Sequence, residues 1–288
     1  MQTIVSSTMK SVVIEKNLPL VIIGEKINPT GRKKMAAALQ SQDFEYLHDL
    51  AISQVEAGAD ILDINVGVPG LDDVILMKQV VKLVSEWIDV PLCLDSPNPL
   101  ALEAGLSVAG GKPLVNSVSG EEARLSTVLP LVKEYGAAVI GLIMDDNGIP
   151  STPEARLAVA EKILERAVRI GIPQEDVIID PLVMAVGADS SAGVVTLKAI
   201  ELISQKLGVN INLGASNISF GLPDRHIVNQ AFLILAMGKG ATCAITDPMK
   251  LAWIIRAGDL LLGKDEYAMR FIRYFRKMQV NLNKENLT

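Results

Sequence analysis

The amino-acid sequence predicts a single (β/α)8 barrel, because two kinds of segment alternate along the chain. Short apolar runs recur eight times, and stretches of helical periodicity separate them. Strands that are apolar almost throughout are typical of parallel sheets covered by helices. The chain has 288 residues and is 49% hydrophobic, which suits one barrel with a large core. A doubly wound open sheet is the lesser alternative.

The elements follow one another with short connections. The predicted strands are LVIIGE (20–25), ILDINV (61–66), PLCLD (91–95), PLVNS (113–117), AVIGLIM (138–144), VIIDP (177–181), INLGA (211–215) and ATCAIT (241–246). Segments between them, such as PEARLAVAEKILERAVRIG, repeat apolar residues at intervals of three and four and end in Gly, which predicts helices. We expect one domain over residues 1–288, with an N-terminal arm (1–17) and a polar C-terminal tail (278–288).

Composition excludes several classes of function. A net charge of -6 argues against nucleic acid as a partner, and no cluster of Lys and Arg is evident that would hold phosphate. Only two histidines occur, too few for a zinc or redox-metal site. Cys93 and Cys243 lie in apolar runs and are expected in the core. Neither a signal peptide nor a membrane-spanning run is evident, so a soluble cytoplasmic protein is expected.

Polar residues stand at or just beyond the ends of the predicted strands. They are Asp63, Asn65, Asp95, Asn116, Asp145, Asp180, Asn217 and Asp247. Helix capping explains any one of them about as well as function does. Together they favour a site, because several lie flush with an apolar strand, where an unpaired polar group costs a few kcal/mol. The carboxyl ends of barrel strands are also where catalytic residues collect.

The residue types in this ring favour a flat heterocyclic ligand. No Gly-rich phosphate loop and no Ser-His-Asp or Cys-His arrangement is evident, which disfavours a phosphorylated sugar and nucleophilic catalysis. An ionised Asp accepts two parallel N–H bonds, while Asn serves as donor or acceptor. A pterin offers a matching edge of N–H donors and a carbonyl.

Six ordered motifs carry a family resemblance over nearly the whole chain. They are GEKINPTG, DINVG, LDSPNPLALEAGL, GKPLVNSVSGEE, IDPLVMAVG and GASNISFGLPDR. The chain resembles the pterin-binding methyltransferases, which include methyltetrahydrofolate:corrinoid protein methyltransferases and the folate-binding domain of cobalamin-dependent methionine synthase. The resemblance implies a TIM barrel of the dihydropteroate synthase-like type, usually homodimeric. It also implies methyl transfer between N5 of tetrahydrofolate, or 5-methyltetrahydrofolate, and the cobalt of a corrinoid (cobalamin) carried by a partner corrinoid-binding protein.

The resemblance also assigns roles to individual residues, and it implies no metal bound by this chain. The matches to the pterin-binding side chains are Asp95, Asn116 and Asp180. Asn217 matches the catalytic asparagine that reaches N5, and its amide is suited to contact N5 whether that nitrogen is methylated and protonated or free. Further substrate-binding matches are Gly214, Ser216 and Arg225. The remaining expected pocket residues are Glu25, Asn28, Asp63, Asn65 and Asp145.

Alternatives remain within and outside this family. Dihydropteroate synthase has Ser-Arg-Lys and TRPG where this chain reads SNISFG and NVGVPG. A non-catalytic pterin-binding subunit would keep Asp95, Asn116 and Asp180 but has no need of Asn217. The chain has no room for the further modules of methionine synthase, so we expect a stand-alone methyltransferase. It would serve acetogenic one-carbon metabolism or a system that demethylates methoxylated aromatics or methylamines.

Overall fold

A curled parallel sheet forms the centre of the molecule. The computed structural model describes the backbone of residues 1–285 and the side chains of residues 1–279. The strands in this part are β1 (Thr3–Ser6), β2 (Ser11–Ile14), β3 (Val21–Ile27), β4 (Ile61–Ile64), β5 (Leu92–Asp95), β6 (Leu114–Ser119), β7 (Ala138–Leu142), β8 (Val177–Asp180) and β9 (Cys243–Thr246). Strands β3 to β8 lie side by side in chain order, and β9 pairs with β3 in parallel.

The gap between β8 and β9 is closed by residues 211–214, which were predicted as a regular strand. Ile211 bridges Ile179 on one side, and Gly214 bridges Ile245 on the other. One backbone hydrogen bond of a regular strand is replaced here by a bond to a side chain, because the Thr242 hydroxyl accepts from the Ile211 N–H at 2.9 Å. This segment completes the ring of eight and confirms the predicted (β/α)8 class, although its pairing is reduced to single bridges.

Helices cover the outside of the ring. They are α1 (Lys33–Ser41), α2 (Phe44–Glu56), α3 (Asp73–Trp87), α4 (Pro99–Leu106), α5 (Glu122–Glu134), α6 (Pro153–Arg169), α7 (Ala192–Leu207), α8 (Arg225–Lys239), α9 (Pro248–Leu261) and α10 (Met269–Glu285). The start of α6 shows how the sequence sets a boundary, since Thr152 accepts from the Ala155 N–H at 3.2 Å and Pro153 occupies the first turn. None of the described helices is long and apolar enough to cross a membrane.

The predicted N-terminal arm contains an antiparallel hairpin of β1 and β2. Val5 and Ile14 on this hairpin are fully buried. They pack in one cluster with the first residues of several barrel strands, including Val21 and Ile61. The hairpin therefore closes the end of the barrel at which the strands begin and leaves the opposite end open. Cys93 and Cys243 are both buried and unpaired.

The C-terminal helix α10 packs on α9 through an aromatic cluster. The Trp253 ring lies 4.8 Å from the ring of Phe271 and 5.5 Å from that of Tyr274, measured between centroids. Part of the predicted polar tail (278–288) continues α10 as far as Glu285. Residues 286–288 lie outside the described part of the chain.

Candidate active site

A cavity of about 330 Å³ opens at the carboxyl ends of the strands, opposite the N-terminal hairpin. Parallel strands end together at this face, so side chains at the last strand positions converge although they are far apart in sequence. The residues that line it are Glu25, Asn28, Thr30, Arg32, Asp63, Asp95, Asn116, Leu142, Asp180, Gly214, Ser216, Asn217 and Ile245. Nine of the twelve predicted site residues are among them.

One wall of this cavity is a network of two carboxyl groups and two amides. Asn116 donates its side-chain N–H to Asp63 Oδ1 at 3.1 Å, and Asn65 donates to Asp95 Oδ2 at 3.0 Å. The register of the sheet brings these groups together, because Asp95 and Asn116 are paired residues of β5 and β6. Because the side-chain amino group of Asn116 donates to Asp63, its side-chain carbonyl oxygen remains available to accept a hydrogen bond from a ligand.

Burial governs the protonation of the two carboxyl groups. It raises the pKa of Asp63 well above its usual value, and repulsion from Asp95 raises it further, against the hydrogen bonds from Asn116 and Cys93. Burial also raises the pKa of Asp95, although the hydrogen bond from Asn65 opposes this. Asp63 is only 2% exposed. The pair therefore holds a proton more readily than two separate surface carboxyl groups would.

The opposite wall is organised around Asp180, the last residue of β8. Its Oδ1 accepts from the Leu182 N–H at 2.8 Å, and its Oδ2 accepts from the Asn212 side chain at 2.7 Å. Burial raises the pKa of Asp180 to about 6, although hydrogen bonds from Leu182, Asn212 and the Gly214 backbone oppose the shift. Each oxygen keeps acceptor capacity, so the carboxylate can still take two parallel N–H donors.

Arg156 on α6 anchors the loop that follows β8. This arginine is buried, and its guanidinium donates to the backbone oxygens of Pro150 at 3.0 Å and Pro181 at 2.9 Å. The loop includes Leu182, a residue with a positive φ of 62°. The guanidinium supplies donors to backbone carbonyls that helix and sheet leave free, and it adds positive charge near Asp180.

Asn217 lies at the mouth of the cavity, in a short 3-10 turn after the 211–214 segment. Its side chain is exposed and forms no hydrogen bond with a described residue. A Cβ atom at Gly214 would lie 3.1 Å from Asn217 Nδ2, so glycine leaves room for this amide. The amide group is therefore free to serve a ligand as either donor or acceptor.

A second cavity of about 490 Å³ adjoins the first. The two share the wall formed by Glu25, Thr30, Arg32 and Ser216. Lys26, Arg225 and Lys250 also line the second cavity, so together with Arg32 they bring four cationic side chains to the mouth of the barrel. The expectation that no Lys and Arg cluster exists here is wrong, because these residues come from segments far apart in sequence.

Three predicted site residues do not line the central cavity. Asn65 reaches it through its bond to Asp95, and Arg225 lines the second cavity, where it donates to the Ser216 carbonyl at 2.7 Å. Asp145 lines a different surface cavity. Its side chain accepts from the Asn147 N–H at 2.8 Å and closes a turn after β7. This local bond explains why the structure does not bring Asp145 to the others.

Asn212 is a site residue that the sequence reasoning missed. It is fully buried, and its amide nitrogen binds Asp180 while its carbonyl oxygen has no described hydrogen-bond partner. The signal was present, because Asn212 is a polar residue inside the apolar run INLGA. Arg156 was also missed, and as a charged residue in a helical stretch it gave no comparable signal.

The chain belongs to the pterin-binding enzymes, because the model of that family matches residues 24–247. The resemblance drawn from the six motifs is thus confirmed.

Among its relatives is the methylcorrinoid:tetrahydrofolate methyltransferase of Eubacterium limosum. The two are 33% identical over 269 residues, which cover 91% of this chain and 98% of that protein. The methionine synthase of Mycobacterium tuberculosis is 32% identical over 260 residues, but these cover 86% of this chain and only 22% of that enzyme. The chain thus matches the first relative over almost all of its length and the second over less than a quarter.

Solved structures of dihydropteroate synthases share the fold. The enzyme from Xanthomonas albilineans, in complex with indole-2-carboxylic acid and 6-chloroguanine, has a TM-score of 0.70 and 18% identity over 91% of this chain and 99% of that one. The enzyme from Yersinia pestis has a TM-score of 0.69 and 16% identity over 91% of this chain and 100% of that one. Likeness at this level of identity shows the barrel architecture.

Proposed function

We propose that this protein transfers a methyl group between a corrinoid held by a partner protein and N5 of tetrahydrofolate. The observation that carries the proposal is the convergence of Asp95, Asn116, Asp180 and Asn217 on one cavity at the carboxyl ends of the strands. The name of the Eubacterium limosum relative supports the substrate pair and favours transfer toward tetrahydrofolate.

In this proposal, the two walls of the cavity bind the polar edge of the pterin ring. Asp180 accepts two parallel N–H bonds from the amino group and neighbouring ring nitrogen of the pterin, because an ionised carboxylate matches that pair of donors. Asn116 and Asp95 form hydrogen bonds, as acceptors or donors, with the polar groups of the second ring of the pterin. The amides that hold Asp63 and Asp95 also fix which of their atoms face the ligand.

Asn217 acts on N5, the reacting nitrogen. In transfer toward tetrahydrofolate, the N5 lone pair forms the new N–CH₃ bond, the electrons of the broken methyl–cobalt bond stay with the corrinoid, and the N5 proton passes to water. The Asn217 carbonyl accepts from N5–H before transfer, and its amino group donates to the N5 lone pair afterwards. A polar group held at the reacting atom stabilises the charge that develops there. The corrinoid supplies the methyl group in a form that a nitrogen nucleophile can attack.

The proposal is tested by product analysis with methylcobalamin standing in for the protein-bound corrinoid. We expect 5-methyltetrahydrofolate, identified by mass spectrometry, only when protein, tetrahydrofolate and methylcobalamin are all present. A parallel incubation with a dihydropterin diphosphate and p-aminobenzoate tests for dihydropteroate synthase activity, and we expect no dihydropteroate. Binding of folate without either product would indicate the non-catalytic subunit, and dihydropteroate formation would replace the proposal.

We also propose that the protein is a homodimer that meets its corrinoid partner transiently. Helices α9 and α10 support this, because Trp253 and Phe275, whose ring centroids lie 5.9 Å apart, are both exposed, and so are Leu261 on α9 and Met269 on α10. Multi-angle light scattering at micromolar concentration is expected to give twice the mass of the 30.9 kDa chain. A monomer mass at that concentration would contradict the dimer.

A further inference from the structure

More cationic than anionic side chains line the second cavity. Glu25 pairs with Arg32 at 3.2 Å, and the Lys26 ammonium pairs with Asp247 at 2.7 Å. These two pairs leave the charges of Arg225 and Lys250 uncompensated, and neither of them forms an ion pair with a described residue. A local excess of positive charge on a chain of net charge -6 indicates an anionic ligand.

The two uncompensated cations lie on different helices at the rim of the cavity. Arg225 is the first residue of α8, and Lys250 lies in the first turn of α9. The N-terminus of a helix adds partial positive charge, so both helices reinforce the side chains. Cations carried on separate elements suit a ligand with spaced negative groups better than one compact anion.

An exposed aromatic side chain completes the cavity. Phe220 is 70% exposed, and the Arg225 guanidinium carbon lies 5.6 Å from the centre of its ring. The cavity thus presents an aromatic ring and cations, and it shares a wall with the central cavity. A ligand that fills the central cavity with a pterin ring and also carries an aromatic group and carboxylates has complementary groups for these surfaces.

We propose that the second cavity binds the poly-γ-glutamate tail of the folate, with Arg225 and Lys250 pairing with its carboxylates and Phe220 contacting the aminobenzoyl ring. This inference rests on the proposed function, because it requires a folate in the central cavity. The tail is tethered to the pterin, so even weak ion pairs at the rim act at high effective concentration and raise the affinity of the whole ligand. The protein therefore selects polyglutamylated folates.

The test compares the mono- and triglutamate forms of 5-methyltetrahydrofolate by calorimetry at low salt. We expect the wild-type protein to bind the triglutamate about tenfold more tightly, with a difference that shrinks as salt is added. Lys250→Gln should reduce that preference by about threefold to tenfold and leave the affinity for the monoglutamate nearly unchanged, whereas Lys250→Arg should keep it. Lys198→Gln on α7 is the matched control, since it removes an exposed lysine outside both cavities.

Each alternative outcome has a definite meaning. Equal affinity for the two folates, with both bound, would overturn the tail site and leave the proposed function intact. Failure of both folates to bind would reject the proposed function itself. Inorganic pyrophosphate, titrated alone into the folate-free protein, separates a carboxylate tail from a phosphate ligand. If pyrophosphate binds at micromolar concentration and loses that binding in Lys250→Gln, while the triglutamate preference is the same in wild type and Lys250→Gln, the assignment to glutamate carboxylates is wrong.

Discussion

Replacing Asp180 with alanine is expected to weaken the binding of 5-methyltetrahydrofolate by about 2 to 4 kcal/mol. The pterin loses a charged acceptor for two N–H groups, and the Asn212 amide that donates to Asp180 at 2.7 Å is left unpaired in a buried position. Calorimetry at pH 7.5 measures the loss. Asp49→Ala is the matched control, because that carboxylate is exposed on α2 and should have no effect.

The same carboxyl group is expected to make binding depend on pH. Only the ionised form accepts both N–H bonds, and burial raises the pKa of Asp180 to about 6 in the unliganded protein. Affinity should therefore be constant well above pH 6 and fall as the pH is lowered through that value, by up to tenfold per unit. Asp180→Asn should bind weakly without this fall. Wild-type affinity in Asp180→Ala would reject the assignment of this residue.

Asn217→Ala is expected to slow methyl transfer by about a hundredfold or more, in line with the loss of one preorganised polar contact at the reacting atom. Binding should change much less, because Asp95, Asn116 and Asp180 still hold the pterin. The measurement is the rate constant for a single turnover at saturating tetrahydrofolate, together with a separate dissociation constant.

Two comparisons make the Asn217 result specific. Asn147→Ala removes another exposed asparagine, in the turn after β7, and should leave both rate and affinity unchanged. The dependence of the rate on pH should persist in Asn217→Ala but be displaced, because N5 protonation matters with or without the amide. If affinity falls while the saturated rate stays at the wild-type value, Asn217 only holds the substrate.

The barrel and most of its central cavity could be predicted because both follow from local patterns. Apolar runs predict strands, and stretches of helical periodicity predict helices. A polar residue at the carboxyl end of a strand lies at the same face of the barrel as those of the other strands, whichever residues flank it in the sequence. Asp63, Asp95, Asn116 and Asp180 therefore converge as expected. The family motifs added the position of Asn217, which lies in a turn that periodicity does not describe.

Features that depend on side-chain competition or on distant segments could not be predicted in this way. The 211–214 segment is apolar enough for a strand, but the Ile211 N–H donates to the Thr242 hydroxyl and not to a backbone carbonyl of the neighbouring strand. The Asp145 side chain accepts a hydrogen bond within its own turn and therefore does not line the central cavity. Arg32, Arg225 and Lys250 follow three different strands, so nothing local in the sequence shows that they line one cavity.

The most direct test of methyl transfer at this cavity follows a ¹³C-labelled methyl group from methylcobalamin by NMR. We expect the wild-type protein, saturated with tetrahydrofolate, to produce the resonance of a methyl group on N5 as the resonance of the methyl group on cobalt declines. Asn217→Ala, brought to the same saturation, should produce the same resonance about a hundredfold more slowly. Label transfer by the wild-type protein that is no faster than in buffer, with tetrahydrofolate demonstrably bound, would contradict the account.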